Sequence, residues 1–136
     1  MRIVALLSVI VLFAVGALAL VRYGTRQETL LVGAVLLLLG IPFMVLARRQ
    51  LGDAFAVTPQ AKGLVTRGLY AKIPHPMYVF LDVALLGSVI MLRQAWLLIA
   101  WSMLVIVQVW QARREAKVLK EAFGNAYVEY RRGTWW

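Results

Sequence analysis

The sequence predicts an all-α integral membrane protein, in which a bundle of four transmembrane helices is followed by an amphipathic C-terminal helix. Hydrophobic residues make up 62% of the 136-residue chain, which is more than a soluble core of that size can bury. Charged residues account for only 15% and are collected in short stretches between long apolar runs. The surplus apolar surface must therefore face lipid, within a single membrane domain over residues 1–136.

Four apolar runs define the expected spans. They cover residues 3–21, 30–47, 77–92 and 95–112, and their lengths of 16 to 19 residues fall at or just below the roughly 17–25 that span hydrocarbon. The first two form an N-terminal pair within residues 1–47, and the last two form a second helix pair over 77–112. The third run is the shortest, starts after Pro76 and carries Asp82. We therefore expect part of it to border a polar cavity.

The distribution of Lys and Arg predicts the orientation, because the side with more of them near the membrane stays in the cytoplasm. With four spans, twelve of the fifteen lie on one side: Arg2, Arg48, Arg49, Lys62, Arg67, Lys72, Arg113, Arg114, Lys117, Lys120, Arg131 and Arg132. Arg22, Arg26 and Arg93 lie on the other side. We expect both termini to be cytoplasmic, in a cytoplasmic membrane of bacterial or archaeal type.

The first apolar run has a second interpretation. Arg2, the apolar run and the small residues Ala17 and Ala19 loosely imitate a cleavable signal peptide. The run is longer than a usual signal core, and its removal would leave three spans and break the charge asymmetry. The sequence favours a retained first span, with cleavage as the alternative.

Of the three connections between the spans, two are short and one is long. Little more than Arg93 and Gln94 joins the third and fourth spans, which predicts an antiparallel pair packed side by side. Residues 48–76 form a cytoplasmic loop of nearly thirty residues, which is longer than compact domains usually tolerate without a functional reason. We therefore expect the chemistry of the protein at this loop.

The C-terminal extension over residues 113–136 is predicted to continue the fourth helix out of the membrane. Apolar residues recur at helical spacing while charged residues fill other positions, and Gly124 interrupts the pattern. The apolar positions are Leu119, Ala122, Phe123, Ala126, Tyr127 and Tyr130. A helix lying on the headgroups, anchored by Trp135 and Trp136, explains this pattern without any further function.

The side-chain inventory excludes several classes of chemistry. The chain has no cysteine and a single histidine, so disulfides, thiol chemistry and zinc sites of clustered Cys and His are excluded. The net charge of +9 is compatible with nucleic-acid binding. Because the Lys and Arg residues sit mostly at the ends of apolar runs, they instead indicate topology and contact with membrane lipids, and we expect no nucleic-acid partner.

The most informative motif surrounds the single histidine. His75 lies between Pro74 and Pro76, so it is not expected inside a helix, whereas Pro76 suits the first turn of one. A helix start leaves backbone N–H groups unpaired and carries partial positive charge, which favours a carboxylate or another anion. The alternative is a proline-stiffened loop that merely ends at a helix.

A wider block of residues carries a resemblance to a known family. The block consists of Gly63-Leu64-Val65-Thr66-Arg67-Gly68-Leu69-Tyr70, His75-Pro76-Met77-Tyr78, and Glu115, Leu119, Phe123-Gly124, Tyr127 and Tyr130. Over residues 61–132 it resembles the superfamily of isoprenylcysteine carboxyl methyltransferases and phospholipid methyltransferases, which are integral membrane enzymes that use S-adenosylmethionine. The first two spans match only as generic transmembrane helices.

The resemblance implies ten cofactor-binding positions. They are Lys62, Gly63, Leu64, Val65 and Tyr70 in the loop, His75, Pro76, Met77 and Tyr78 at the helix start, and Glu115 on the extension of the fourth helix. A carboxylate at Glu115 can accept charge-assisted hydrogen bonds from the ammonium and ribose hydroxyls of the cofactor. No cation lies three or four residues from Glu115, so the alternative reading is a solvated surface carboxylate.

The resemblance also implies an acceptor side. The family has an Arg, associated with the acceptor, one helical turn before the Glu, and this chain has Gln111 at that position. We assign Gln111 and Arg113 to the acceptor side. Arg113 and Arg114 are expected to point elsewhere around the helix than Gln111. An acceptor that is already an anion or a good nucleophile needs no general base, so catalysis can rest on alignment and exclusion of water.

Four positions depart from the family pattern. Pro74 replaces an Arg before the His-Pro pair, Phe80 replaces a small residue, Gln111 replaces the acceptor-side Arg, and Ala116 replaces a second Glu. These changes affect acceptor binding more than cofactor binding. They indicate an acceptor other than a prenylated cysteine carboxylate, or a chain that has lost activity.

The sequence therefore predicts a membrane-embedded, S-adenosylmethionine-dependent methyltransferase. Its lipophilic small-molecule or lipid acceptor is expected to enter from the bilayer between the third and fourth helices. The alternative is a non-enzymatic or degenerate four-helix protein, such as a small transporter or scaffold, for which Asp82 is the candidate acidic residue. Two environments are open for Asp82. It can pair with Gln108 on the neighbouring helix, or it can lie near enough to the headgroups to stay hydrated.

Overall fold

The regular secondary structure of the described residues is all helical, as expected from the sequence. The computed structural model describes residues 2–52 and 63–135. It contains five α-helices, α1 (Arg2–Tyr23), α2 (Arg26–Leu51), α3 (Pro76–Leu92), α4 (Leu97–Phe123) and α5 (Asn125–Arg132), with a 3₁₀ turn at Gly68–Ala71 before α3. The four apolar runs coincide with α1, α2, α3 and the first part of α4. The interruption predicted at Gly124 separates α4 from α5.

Within residues 2–52 and 63–135, one helix, Arg26–Leu51, is long and apolar enough to cross a membrane by itself. Two further helical stretches, Ser8–Tyr23 within α1 and Pro76–Leu92, are also apolar but shorter. The apolar part of α4 ends at Ala112, after which the helix continues for eleven residues with charged side chains. The structure therefore supports a membrane-associated protein with at least one helix of spanning length.

The closest packing in the bundle is between α2 and α3, and it depends on small residues. A Cβ atom on Gly40 would lie 2.6 Å from the Ala84 backbone nitrogen, and one on Gly87 would lie 2.8 Å from the Gly33 carbonyl oxygen. Small side chains at a helix contact let two backbones approach closely, which is a common way for membrane helices to associate. The sequence analysis anticipated the α3–α4 pair but missed this tighter contact between α2 and α3.

A hydrophobic core joins α1, α3 and α4. Its buried members are Ala17, Val21, Leu86, Val89, Ile90, Leu98, Trp101 and Val105. The opposite faces of α1, α2 and α4 expose large apolar side chains such as Leu12, Leu38 and Ile99. Apolar groups on the outside of a bundle this small are typical of helices that face lipid.

Arg93 connects the two short turns at one end of the bundle. It adopts a left-handed conformation, with φ 55°, in the turn between α3 and α4. Its Nη1 atom donates a hydrogen bond to the Gly24 carbonyl oxygen at 2.8 Å and lies 3.5 Å from the Thr29 hydroxyl. Both turns therefore lie on the same end of the bundle, opposite the loop that precedes α3.

The C-terminal helix folds back onto the loop before α3. The Tyr130 hydroxyl donates to the Tyr70 carbonyl oxygen at 2.8 Å, and the Trp135 backbone N–H donates to the Lys72 carbonyl oxygen at 2.9 Å. Gly124, with φ 51°, provides the change of direction that this return requires. The expected lipid-surface helix is thus docked on protein along one side. Trp135 is 70% exposed, and the anchor predicted at Trp136 lies outside the described residues.

Candidate functional site

The site is organised around the first turn of α3. His75 is the N-cap, with φ −132° and ψ 61°, and Pro76 is the first helical residue, as predicted. Pro76 and Pro74 are buried, which fixes the path of the chain into the helix. Within the described residues, no side chain caps this helix, so its first N–H groups have no side-chain acceptor.

His75 faces Glu115 across the bundle. The His75 Nδ1 atom lies 3.5 Å from Oε2 of Glu115, although the two residues come from different elements forty positions apart. The side chains are 19% and 33% exposed, so both are largely withdrawn from solvent. The loop before α3 and the extension of α4 therefore converge on a single place.

Burial shifts the protonation of both groups away from an ion pair. It lowers the pKa of His75 to about 4, with a smaller contribution from the positive charge of Arg131, so the imidazole is neutral at pH 7. Burial raises the pKa of Glu115, which lies beyond the apolar part of α4. The carboxylate thus loses hydration without gaining a full positive charge in return. A cationic ligand placed beside Glu115 would supply that charge.

The negative charge of Glu115 influences three tyrosines of the loop and of α5. Burial, followed by the negative charge of Glu115, raises the pKa of Tyr70. Burial raises the pKa of Tyr130 to about 12, and it also raises that of Tyr127. All three phenols are therefore protonated at neutral pH. The Tyr130 hydroxyl already donates to the Tyr70 backbone, so it holds the loop in place.

A cavity of about 400 Å³ begins beside His75 and extends into the bundle; Glu115 and the three tyrosines do not belong to its described wall. Its wall is mostly apolar and is built by α1, α3 and α4, with Leu36 from α2 and Arg131 from α5. The apolar lining consists of Val9, Ile10, Phe13, Leu36, Val79, Val83, Leu86, Trp101, Val105, Val109, Ala112 and Ala116. The polar lining consists of His75, Tyr78, Asp82, Gln108, Arg113 and Arg131. Cavities of this volume and character are typical of small-molecule sites.

Asp82 and Gln108 form a polar layer deeper in the cavity. The Gln108 side chain is hydrogen-bonded to the Asp82 carboxylate, which was one of the two alternatives left open by the sequence. The indole Nε1 of Trp101 donates to the Asp82 backbone carbonyl at 3.1 Å. Among the described residues, no partner satisfies the buried Oδ1 atom of Asp82.

Several residues singled out in the sequence meet at the site. Tyr70 is buried near Glu115, and the ring of Tyr78 stacks on His75 with 5.6 Å between ring centroids. Pro76 is fully buried, so it shapes the helix start and offers no surface to a ligand. Their proximity is observed, whereas their roles in cofactor binding remain predictions.

The remaining predicted cofactor residues are less closely involved. Gly63, Leu64 and Val65 lie half-buried in irregular backbone, and Met77 is half-buried in the first turn of α3. None of these four belongs to the cavity wall in the described part of the chain. Lys62 lies outside the described residues.

The two residues assigned to the acceptor side differ in position. Arg113 lines the cavity, whereas Gln111 does not belong to the wall formed by residues 2–52 and 63–135. Arg114 covers the Trp110 ring, with 4.1 Å from its guanidinium carbon to the ring centroid. Arg113 therefore faces the cavity and Arg114 does not.

Structural reasons emerge for two of the departures from the family pattern. The Phe80 ring stacks on Phe43 of α2, with centroids 5.0 Å apart, so its larger size is used in the α2–α3 contact. Ala116 lies on the cavity wall, where a longer side chain would fill part of the space.

Arg131 is a site residue that the sequence analysis missed. It lines the cavity from α5 and is close enough to His75 to influence its pKa. The only signal in the sequence was the glycine that interrupts the C-terminal helix, since a reversal there brings α5 back to the loop. The residues of α1 that line the cavity, such as Val9 and Phe13, carried no signal beyond hydrophobicity.

Comparison with known proteins gives one family match. The family model described as phospholipid methyltransferase matches residues 29–126, well over half of the chain. The match includes α2, α3 and α4, and thus extends N-terminally beyond the block recognised in the sequence. No curated protein and no solved structure matches the chain.

Proposed function

Because the chain belongs to the phospholipid methyltransferase family, we propose that it transfers a methyl group from S-adenosylmethionine to a lipophilic acceptor. The observation that carries this proposal is the approach of Glu115 to His75, which lines the head of an apolar cavity. A carboxylate, a neutral imidazole and a helix start without a side-chain cap thereby lie close together.

The residues at this site fit the polar groups of S-adenosylmethionine. Glu115 is a desolvated carboxylate whose described partner is a neutral imidazole, so it suits the ammonium or ribose hydroxyls of the cofactor. The uncapped first turn of α3 suits a carboxylate, because its N–H groups and the helix dipole favour an anion. Arg131 adds positive charge to the same end of the cavity.

The protein contributes alignment and exclusion of water. When bound, S-adenosylmethionine supplies an electrophilic methyl group on a sulfonium centre. The apolar wall of the cavity keeps water away from the acceptor, and the polar cluster at its head orients the cofactor. In our proposal the acceptor enters from the bilayer between α3 and α4, and Arg113 lies on its side of the cavity.

We further propose that α1, α2, α3 and the apolar part of α4 each cross the membrane, with both ends of the chain in the cytoplasm. This arrangement places twelve Lys and Arg residues on the side of the site and three on the opposite side. It also fits the contact of Arg93 with Gly24, which joins the two turns expected outside.

Calorimetric titration of S-adenosylmethionine into the full chain in lipid nanodiscs tests the proposed function. We expect saturable binding to the unmodified protein and binding at least about 10-fold weaker in Glu115→Gln, which loses charge-assisted hydrogen bonds. Glu121→Gln is the matched control, because Glu121 lies on the same helix in an exposed pair with Lys117 at 3.9 Å.

Two results would contradict the proposal. The first is an absence of saturable binding to the unmodified protein, and the second is equal affinity of the Glu115 and Glu121 variants. Incubation with lipid extracts and cofactor carrying a labelled methyl group then identifies the acceptor fraction.

A further inference from the structure

Two polar pairs lie at different depths beside the cavity, and both members of the deeper pair line it, whereas His75 alone of the outer pair does so. His75 faces Glu115 near its head, and Asp82 faces Gln108 deeper inside. Each residue of the deep pair lies seven positions from its counterpart on α3 or α4, which corresponds to about 10 Å along a helix. The cavity thus contains a second polar layer that the proposed cofactor contacts do not use.

The deep pair has an unfilled hydrogen-bonding position. Gln108 is only 7% exposed and is bonded to the Asp82 side chain, while Trp101 is bonded to the Asp82 backbone. The Asp82 Oδ1 atom is buried and has no partner among the described residues. A buried acceptor without a donor is costly and is rarely left unpaired in native proteins.

The surroundings restrict what can supply that donor. Leu86, Val83 and Val105 surround the pair on the cavity wall and offer no hydrogen-bond donor. Ala112 lines the same wall between the two polar layers, and Ala116 lines it at the level of the outer layer, so small side chains border this space. A ligand in this space needs an apolar body and a donor group that reaches Asp82.

We infer that Asp82 and Gln108 select the acceptor, and that the acceptor is a lipophilic molecule with a hydroxyl or amine donor, which binds Oδ1 of Asp82. This inference rests on the proposed function, since it identifies the deep part of the cavity as the acceptor site. The same oxygen repels a carboxylate, so an acceptor that presents a carboxylate at this layer is disfavoured.

Three alkyl benzenes that differ in one group test this selectivity. The probes are 4-octylphenol, its methyl ether 4-octylanisole, and 4-octylbenzoate, measured by equilibrium dialysis against nanodiscs with and without the full chain. Because all three probes partition into lipid, specific binding is the amount bound to nanodiscs that contain the chain minus the amount bound to empty nanodiscs. We expect the phenol to bind the unmodified protein about 10-fold or more tightly than the ether, and the benzoate to bind weakest.

Asp82→Asn is the informative variant, because it keeps the shape of the side chain and its contact with Gln108. We expect it to lose most of the preference for the phenol over the ether and to bind the benzoate better. Ser88→Ala is the matched control, since Ser88 is on the same helix, bonds only its own helix backbone at Ala84, and does not line the described cavity. It is expected to keep the preference.

Calorimetry of S-adenosylmethionine on the same samples separates this inference from the proposed function. An unchanged phenol preference in Asp82→Asn, or tighter binding of the benzoate than of the phenol to the unmodified protein, overturns the inference even if the cofactor binds. A phenol preference that depends on Asp82 supports the deep donor site even if the cofactor does not bind, in which case the proposed function fails instead.

Discussion

His75 is buried in a neutral form, and this state links its protonation to the stability of the fold. Its pKa is lowered from 6.5 to about 4, chiefly by burial. Between these two values the unfolded chain binds more protons than the folded one, so the folded state loses stability as the pH falls from 6.5 towards 4. The total effect is about 3 kcal/mol, of which roughly 2 kcal/mol is lost by pH 5.

Thermal unfolding in detergent at pH 7.5 and pH 5 measures this effect. We expect the unmodified protein to lose more stability at pH 5 than His75→Gln, which cannot gain the proton. Glu115 contributes in the opposite direction, because its raised pKa favours proton uptake by the folded state, but it does so in both proteins. An identical loss of stability in the two proteins would show that His75 is not buried as described.

The meeting of His75 and Glu115 could be expected from the sequence, whereas other contacts of the site could not. The two prolines fixed a helix start at His75, and the family pattern connected it with Glu115. Arg131 was missed because its position depends on how α5 turns back at Gly124, which helical periodicity does not determine. Gln111 was expected near the acceptor from a motif position alone, and such a position does not determine which side chain reaches a cavity.

Among the helices, the contact between α2 and α3 is the most sensitive to added volume. In Gly40→Ala, the new Cβ would lie 2.6 Å from the Ala84 nitrogen and 2.8 Å from the Phe80 carbonyl oxygen, so the two helices must separate. We expect a loss of about 1–3 kcal/mol in the free energy of unfolding. The loss should be visible as a lower midpoint of thermal unfolding in detergent.

Gly16→Ala is the control for this substitution. Gly16 is also helical, but a Cβ there meets no atom within 4 Å. Since Ala favours helix by up to about 1 kcal/mol over Gly, this variant should be as stable as the unmodified protein or slightly more stable. Equal midpoints for the Gly40 and Gly16 variants would contradict the close approach of α2 and α3.

The boundaries of the helices followed from the sequence better than their packing. Apolar runs, Pro76 and Gly124 mark where the helices begin and end, because these signals act within one turn of the chain. Which helices pack most closely depends on the shapes of both surfaces. The small residues of α2 and α3 allow a close approach only because they face each other in the folded bundle. The sequence of either helix alone does not reveal this pairing. The docking of α5 on the loop likewise depends on where the backbone carbonyl groups of the loop lie, which side-chain patterns in a sequence do not determine.

The chain as a whole has no cysteine, so its membrane topology can be mapped with single cysteines. Tyr23→Cys and Gln94→Cys place a thiol at exposed positions in the two short turns, and Lys120→Cys places one on the exposed part of α4. We expect a membrane-impermeant maleimide to label the first two in intact cells. It should label the third only after permeabilisation.

This pattern follows from the excess of Lys and Arg on the side of the site. Labelling of Lys120→Cys in intact cells, or protection of Gln94→Cys, would exclude four spans with cytoplasmic ends. The charge distribution predicted this orientation without the structure, because it depends on composition alone. The cavity could be anticipated only as a space between α3 and α4, and its wall from α1 emerged from the assembled bundle.

Ultraviolet crosslinking of labelled S-adenosylmethionine to the full chain tests most directly whether the start of α3 and the extension of α4 form one binding site. Peptide mapping should find the saturable label on the segment that contains His75 and Tyr78 and on the segment that contains Glu115, and excess unlabelled cofactor should remove it. A saturable label confined to α1 and α2, with neither of those segments modified, would contradict a shared cofactor site.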